Sequence, residues 1–84
     1  MEKLREHITL IDETIIEFLA MRMQVARLIG QRKRNRGIPV RDAGREEALM
    51  ERLKKYAGER GLPPEFVERM YELVFEESRR LQER

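Results

Sequence analysis

The stretch from Glu2 to Arg34 reads EKLREHITLIDETIIEFLAMRMQVARLIGQRKR, and it decides the fold. It contains no proline and a single glycine, Gly30, near its end. Apolar side chains recur along it at alternating steps of four and three residues, which is the spacing of the buried seam of a packed helix. The seam consists of Leu4, Ile8, Ile11, Ile15, Phe18, Val25 and Ile29. This spacing predicts one helix over about residues 2–34.

Two cations interrupt the seam of this predicted helix. Arg22 takes the position between Phe18 and Val25, and Lys33 takes the next position after Ile29. A buried charge costs several kcal/mol unless something pairs with it, so both positions indicate a bound anion. Arg22 and Lys33 are roughly three turns apart and lie on nearly the same face, about 16 Å from each other along the axis. They can therefore line opposite ends of one small pocket.

A third cation, Arg5, precedes Arg22 by seventeen residues. It is turned about 100° away and lies about 25 Å along the axis, so it cannot reach the same pocket from the same chain. The helix itself would be roughly 50 Å long, far longer than a compact domain of 84 residues is wide. We therefore expect a second copy of the chain to pair with this helix, and Arg5 would serve the pocket of that copy.

Composition limits the kind of protein. Eighty-four residues make one domain, 1–84, and 18 basic against 16 acidic residues indicate a mixed surface rather than one that binds polyanions. Without cysteine, and with His7 as the only histidine, neither thiolate chemistry nor a zinc site is expected. No stretch approaches the about 20 apolar residues of a membrane span, and the N-terminus lacks a signal-peptide core. These features predict a cytoplasmic protein without metal catalysis by soft ligands and without a membrane partner.

A second helix is predicted over about residues 43–57, with Asp42 as its N-cap and Gly58 and Gly61 ending it. Its apolar stripe consists of Leu49, Met50, Leu53 and Tyr56. Glu46 falls at the upstream end of this stripe and faces the core, with Arg45 beside it. Alternatively, Glu46 is a first-turn carboxylate that the helix dipole favours.

A third helix is predicted over about residues 63–83, because Pro63 and Pro64 suit a first turn. Its stripe consists of Phe66, Val67, Met70, Tyr71 and Val74, followed by Ser78 and by Leu81 or Gln82. Ser78 and Gln82 continue the stripe at steps of four, which places both polar side chains on the buried face. The alternative is a frayed chain end that tolerates polar residues anywhere.

The end of the first helix, Gln31 to Arg36, is strongly basic. Its cations can simply lie in solvent, where they favour the C-terminal dipole. The functional interpretation is that Lys33 points inward while Arg32, Arg34 and Arg36 stay in water. The inward polar groups would then be Arg22, Lys33, Glu46, Ser78 and Gln82. This set contains no nucleophile and no obvious pair of residues for general acid–base catalysis. It suits a small dianion whose reaction needs only positioning and electrostatic stabilisation.

The ordered motifs of the whole chain resemble the all-helical chorismate mutases of the AroQ class. The motifs are Leu4-Arg5 with Ile11-Asp12, Arg22 followed by Lys33, Pro39-Val40-Arg41-Asp42, Arg45-Glu46, and Glu77-Ser78 with Gln82. The chain departs from the family pattern at Gly44, where a better helix former is more usual, and it stops just after Gln82. The resemblance implies an all-α fold with one long and two shorter helices in an intertwined homodimer, whose two active sites are each built from both chains.

The resemblance also implies a role for each site residue. Arg5 of the neighbouring chain and Arg22 would each grip a substrate carboxylate, and Ser78 would touch a carboxylate. Lys33 and Gln82 would hydrogen-bond the ether oxygen. Glu46 and the Asp42 backbone would hold the ring hydroxyl, and Arg45 would support the site.

The implied activity is the rearrangement of chorismate to prephenate in phenylalanine and tyrosine biosynthesis, with no cofactor. Two alternatives remain open on the sequence. An isochorismate pyruvate lyase shares this fold and similar cations, although Glu46, placed for a 4-hydroxyl, favours the mutase. A helical interaction or nucleic-acid-binding module would instead use the basic run Arg32 to Arg36, and its binding would depend steeply on salt.

Overall fold

The protein folds into three α-helices in the computed structural model, which describes residues 1–83. They are α1 (Glu2–Asn35), α2 (Ala43–Glu59) and α3 (Pro64–Gln82). Within residues 1–83 there is no strand, and the prediction of an all-α fold with one long and two shorter helices is confirmed. No helix in this range is both long and apolar enough to cross a membrane.

The end of α1 is fixed by a glycine in the left-handed region. Gly37 has φ +67°, a conformation that glycine adopts without steric cost. The Ile38 N–H donates to the Lys33 carbonyl at 2.8 Å, and the Gly37 N–H donates to the Arg34 carbonyl at 3.1 Å. These two bonds form the Schellman motif that satisfies the last carbonyls of a helix. The chain therefore turns back beside Lys33 as it leaves α1.

The end of α2 has the same geometry, two residues later than the sequence predicts. Gly61 has φ +78°, the Leu62 N–H donates to the Ala57 carbonyl at 2.9 Å, and the Gly61 N–H donates to the Gly58 carbonyl at 3.2 Å. Gly58 itself lies within the helix, which continues to Glu59. Of the two glycines expected to end α2, only Gly61 takes the left-handed conformation that reverses the chain.

The small core lies along α3, which packs against both α1 and α2, whereas α1 and α2 do not pack directly on each other within the described residues. The buried apolar residues are Ala26, Ala57, Val67, Val74, Phe75 and Leu81. Phe75 was not part of the predicted stripe, although it follows Tyr71 by four residues, and its ring meets that of Tyr71 edge to face with centroids 5.8 Å apart. The covered face of α3 therefore turns toward Phe75.

Other stripe residues are less buried than expected. Tyr56 is 54% exposed, and the Arg60 guanidinium stacks on its ring at 3.3 Å. Ala57 is buried in place of Tyr56, because α3 covers the side of α2 that carries Ala57. Phe66 and Met70 also remain 48% and 40% exposed. The apolar spacing therefore identified the correct helices, but several residues on the predicted contact faces are exposed and neighbouring residues are buried instead.

The apolar seam of α1 is not covered by the rest of the chain. Every residue from Met1 to Phe18 is exposed, and the seven seam residues are between 41% and 64% exposed. Only the second half of α1 packs on α3, through the buried Ala26 and Gly30. The molecule is accordingly elongated, with principal extents of 53 × 23 × 15 Å.

Gly30 lies where α1 meets the last turn of α3. A Cβ atom at this position would be 2.6 Å from the Gln82 Cα and 2.7 Å from the Gln82 carbonyl oxygen. Both are backbone atoms, so neither can move without displacing the helix. By contrast, a Cβ at Gly44 would have only an ordinary contact, 3.7 Å from Asp42 Oδ1, and nothing in the structure requires a glycine there.

We expect Gly30→Ala to destabilise the protein by about 1–3 kcal/mol, the usual cost of overpacking, because the added methyl group forces α3 away from α1. Gly58→Ala is the matched control. It lies in a helix with no atom near its would-be Cβ, so it should be neutral or stabilise by up to about 1 kcal/mol through helix propensity. Urea unfolding at one fixed protein concentration measures both, and equal stability of the two variants would contradict the close approach at Gly30.

Candidate active site

One cavity of about 480 Å³ opens between the second half of α1, the start of α2 and the end of α3. Of the eight site residues predicted from the sequence, seven line it: Arg22, Lys33, Asp42, Arg45, Glu46, Ser78 and Gln82. The apolar part of the wall comes from Val25, Ala26, Ile29, Val40, Leu49 and Phe75. Arg5 is not part of this cavity. Three helices of one chain therefore bring together all the predicted groups but one.

Arg22 is fixed at the end of the cavity nearest the middle of α1. Its guanidinium donates to the Ser78 hydroxyl and lies 5.6 Å from the centroid of the Phe75 ring. Ser78 is buried, and its own hydroxyl donates to the Val74 carbonyl at 2.9 Å. Since a guanidinium has five N–H donors, Arg22 keeps donors for an anion while Ser78 and Phe75 hold it in place.

Lys33 lies at the other end of the cavity. Its Nζ donates to the Val40 carbonyl at 2.9 Å, a contact that the turn at Gly37 makes possible by folding the following residues back beside α1. An ammonium has three donors, so two remain for a ligand. The ammonium is thus held at the cavity wall by one hydrogen bond and stays available for binding.

Asp42 begins α2 and sets the orientation of its first turn. Its Oδ1 accepts the Arg45 N–H at 3.0 Å, the bond of an N-cap. This cap places Arg45 and Glu46 on the first turn, and both line the cavity. The Glu46 carboxylate accepts a hydrogen bond from the Arg79 guanidinium at 2.6 Å. Glu46 therefore faces the interior, as the stripe predicted, and it is also part of an ion pair between α2 and α3.

Gln82, the last residue of α3, lines the cavity beside Gly30. Its carbonyl oxygen accepts a hydrogen bond from the Arg34 guanidinium. The last carbonyls of a helix lack partners within it, and Arg34 supplies one here. The expectation that Arg34 stays in water is therefore incomplete, because the side chain is exposed but also ties the end of α1 to the end of α3.

Arg79 and Phe75 line the cavity but were not predicted from the sequence. Phe75 could have been found from its spacing to Tyr71. Arg79 precedes Gln82 by three residues, which puts the two on neighbouring parts of one helix face, although an arginine at such a position is usually solvated. Arg5, which was predicted, is exposed and forms only a loose ion pair with Glu2 at 3.6 Å. The helix carries it about 25 Å away from Arg22.

Comparison with known proteins identifies the family. The sequence model of the family described as chorismate mutase type II matches residues 4–83. The chain belongs to this family. The resemblance predicted from the ordered motifs is thereby confirmed, and it covers nearly all of the chain.

Three relatives show the range within this chorismate mutase family. The chain is 36% identical over 75 residues to the bifunctional chorismate mutase/prephenate dehydratase of Escherichia coli strain K12, an alignment that covers 89% of the chain and 19% of that protein. It is 26% identical over 82 residues to the chorismate mutase of Methanocaldococcus jannaschii, covering 98% of the chain and 83% of that protein. It is 24% identical over 83 residues to the 4-amino-4-deoxychorismate mutase of Streptomyces venezuelae, covering 99% and 81%. The chain spans about a fifth of the length of the bifunctional relative.

The described site residues do not form a metal-binding set. Within residues 1–83 no group of three or more His, Asp or Glu side chains is arranged to hold a metal ion. What the cavity offers is a set of hydrogen-bond donors carried by Arg22, Lys33 and Arg45, and a carboxylate acceptor on Glu46. Such a set suits an anionic ligand that also carries a hydrogen-bond donor.

The Asp42 cap can be tested by two substitutions. Asp42→Ala removes the acceptor of the Arg45 N–H and should destabilise the protein by about 1 kcal/mol, whereas Asp42→Asn, an equally good N-cap residue, should leave stability nearly unchanged. Thermal unfolding followed by circular dichroism at fixed concentration measures the difference. An Asn variant that loses as much stability as the Ala variant would show that charge, rather than capping, is what matters at this position.

Proposed function

We propose that the chain is a chorismate mutase that converts chorismate to prephenate. The observation that carries this proposal is the convergence of Arg22, Lys33 and Glu46 with Gln82 on one cavity. Chorismate has two carboxylates, an ether oxygen and a ring hydroxyl, and the cavity supplies a matching group for each of them except the second carboxylate. Membership of the chorismate mutase type II family supports the same reaction.

Substrate binding would begin with the guanidinium of Arg22. Guanidinium groups bind carboxylates through two parallel hydrogen bonds, and Arg22 is already held against Phe75 and Ser78. Because the bond to Ser78 orients the arginine, Ser78 would contribute to carboxylate binding chiefly through Arg22. At the other side of the substrate, Glu46 and the Asp42 backbone would hold the ring hydroxyl, and Arg45 would support them.

The chemical step would be a rearrangement within one molecule, in which a C–O bond breaks while a C–C bond forms. It requires no covalent intermediate and no proton transfer. The cavity would hold the flexible enolpyruvyl arm in its reactive conformation, while Lys33 and Gln82 stabilise the negative charge that grows on the ether oxygen. Lys33 would be the main electrostatic catalyst of the two, because its ammonium carries a full positive charge whereas the Gln82 amide is neutral.

The second carboxylate would be bound by Arg5 of another copy of the chain in an intertwined homodimer. The exposed seam of α1 supports such pairing, since burying a large apolar side chain completely contributes about 1.5–3 kcal/mol and the seam carries seven such residues. Antiparallel or crossed pairing of two long helices would bring Arg5 toward the partner's cavity, which it cannot reach in its own chain. Each active site would then be built from both chains.

Two other reactions of the same substrate class remain as alternatives. The Streptomyces venezuelae relative is named for 4-amino-4-deoxychorismate, which carries an amine in place of the ring hydroxyl, and Glu46 could accept a hydrogen bond from either group. An isochorismate pyruvate lyase would eliminate pyruvate instead. Supplying each compound separately and separating the products by chromatography distinguishes the three activities. Nucleic-acid binding through Arg32 to Arg36 stays the alternative from another functional class, and a cytoplasmic location stays a prediction.

Lys33→Ala should lower kcat at least about 100-fold, by analogy with the loss of an oxyanion donor, because the ether oxygen would lose its charged partner. Lys33→Arg should not restore the rate, since the planar guanidinium differs in shape from the ammonium. The loss of chorismate absorbance measures both variants. Arg32→Ala is the control, because this neighbouring residue is exposed and lies outside the cavity. Undiminished turnover by Lys33→Ala would refute the assignment.

Mixed dimers test whether Arg5 acts across the interface. Arg5→Ala and Arg22→Ala chains should each be nearly inactive alone. After joint unfolding and refolding they should recover about a quarter of wild-type activity, since half of randomly assembled dimers contain both chains and each of these has one intact site. Arg22→Ala mixed with Lys33→Ala is the control, because both residues come from the same chain and no site becomes intact. Failure of the first mixture to regain activity would contradict the shared site.

A further inference from the structure

The Arg79–Glu46 pair closes one wall of the cavity. Arg79 Nη1 lies 2.6 Å from Glu46 Oε1, and the two side chains are only 26% and 24% exposed. Both residues line the main cavity and also a smaller one of about 290 Å³ on its other side, so the pair forms part of the partition between the two. An ion pair at this distance and this burial is screened less than one on the surface.

The pair changes what Glu46 presents to a ligand. An isolated carboxylate in this cavity would repel a dianion and attract a cation. With Arg79 bound to Oε1, the negative charge of Glu46 is offset, while Oε2 is left as a hydrogen-bond acceptor. Glu46 thereby becomes an acceptor with little net charge, which suits a neutral hydroxyl group.

We propose that Arg79 is a specificity-determining positioning residue that makes the Glu46 subsite favour a ring hydroxyl over a ring amine. The inference rests on the proposed function, because it assumes that Glu46 receives the substituent at ring position 4. An aliphatic amine is protonated at neutral pH, so it brings a positive charge close to the Arg79 guanidinium. A hydroxyl brings none. Discrimination therefore comes partly from repulsion of the wrong ligand.

Arg79 would act through Glu46 without touching the reacting bonds, and this predicts how the kinetics change. Removing the guanidinium leaves the Glu46 carboxylate unpaired. The dianionic substrate should then bind less well, so KM for chorismate should rise more than kcat falls. The amine substrate should lose less, because the unpaired carboxylate attracts its ammonium group.

The test compares kcat/KM for chorismate and for 4-amino-4-deoxychorismate in the wild type, Arg79→Met, Arg79→Gln and Arg79→Lys. The wild type should favour chorismate. Both uncharged variants should shift the ratio toward the amine by about 10-fold, the scale of one altered charge contact. Arg79→Lys keeps the charge and should retain most of the preference. Arg79→Gln serves as the second uncharged variant if Arg79→Met does not fold, as judged by circular dichroism.

Arg80→Met is the matched control, because the neighbouring Arg80 pairs with Glu77 at 2.5 Å and lies outside both cavities. Its ratio should equal that of the wild type. An unchanged ratio in the uncharged variants, with equal loss of activity toward both compounds, would overturn the role of Arg79 and leave the chorismate mutase assignment in place. A wild type that prefers the amine would overturn the role of Arg79 and would favour the 4-amino-4-deoxychorismate alternative over the proposed function. A wild-type protein that converts neither compound would overturn both proposals together.

Discussion

The close approach of α1 to the last turn of α3 at Gly30 is the constraint on which the candidate site depends. Any side chain at this position would collide with the backbone of Gln82, so the two helices can meet only because residue 30 has none. One turn before Gly30 and one turn before Gln82, Ala26 and Ser78 are buried in the same interface. The contact therefore fixes the distance between the two helices that carry Arg22 and Lys33 on one side and Ser78 and Gln82 on the other.

The same contact explains why the two halves of α1 differ. Its second half is covered by α3, whereas its first half has no neighbour within the described chain and keeps large apolar side chains in solvent. Burial of such side chains is the main source of stability in small domains. A second copy of α1 has the same seam, so an isologous pairing of the proposed homodimer would cover both copies at once. In that arrangement the uncovered first half of α1 would gain an apolar partner, and the cavity beside the second half would gain Arg5 of the other copy.

The sequence was sufficient to find the groups that interrupt an apolar spacing. Arg22, Lys33 and Ser78 each stand where a buried apolar residue is expected, and such a violation is visible without coordinates. Arg79 does not interrupt the apolar spacing, because an arginine on a partly solvated helix face is ordinary. Its partner Glu46 lies on another helix, so the distance between them depends on how α2 and α3 cross. The importance of Gly30 was hidden for the same reason, since Gln82 is remote in sequence. Local patterns thus predicted the helices and the inward polar residues but not the pairs that form between helices.

The charge distribution links the site to the chain as a whole. The charged residues that line the main cavity are four cations and two carboxylates: Arg22, Lys33, Arg45, Arg79, Asp42 and Glu46. They carry an excess of two positive charges, which equals the net charge of +2 for the entire chain. The remaining fourteen basic and fourteen acidic residues therefore balance each other elsewhere. Because the excess is concentrated in a concave site with an apolar wall, its field is stronger there than on the open surface, and it attracts an anionic ligand.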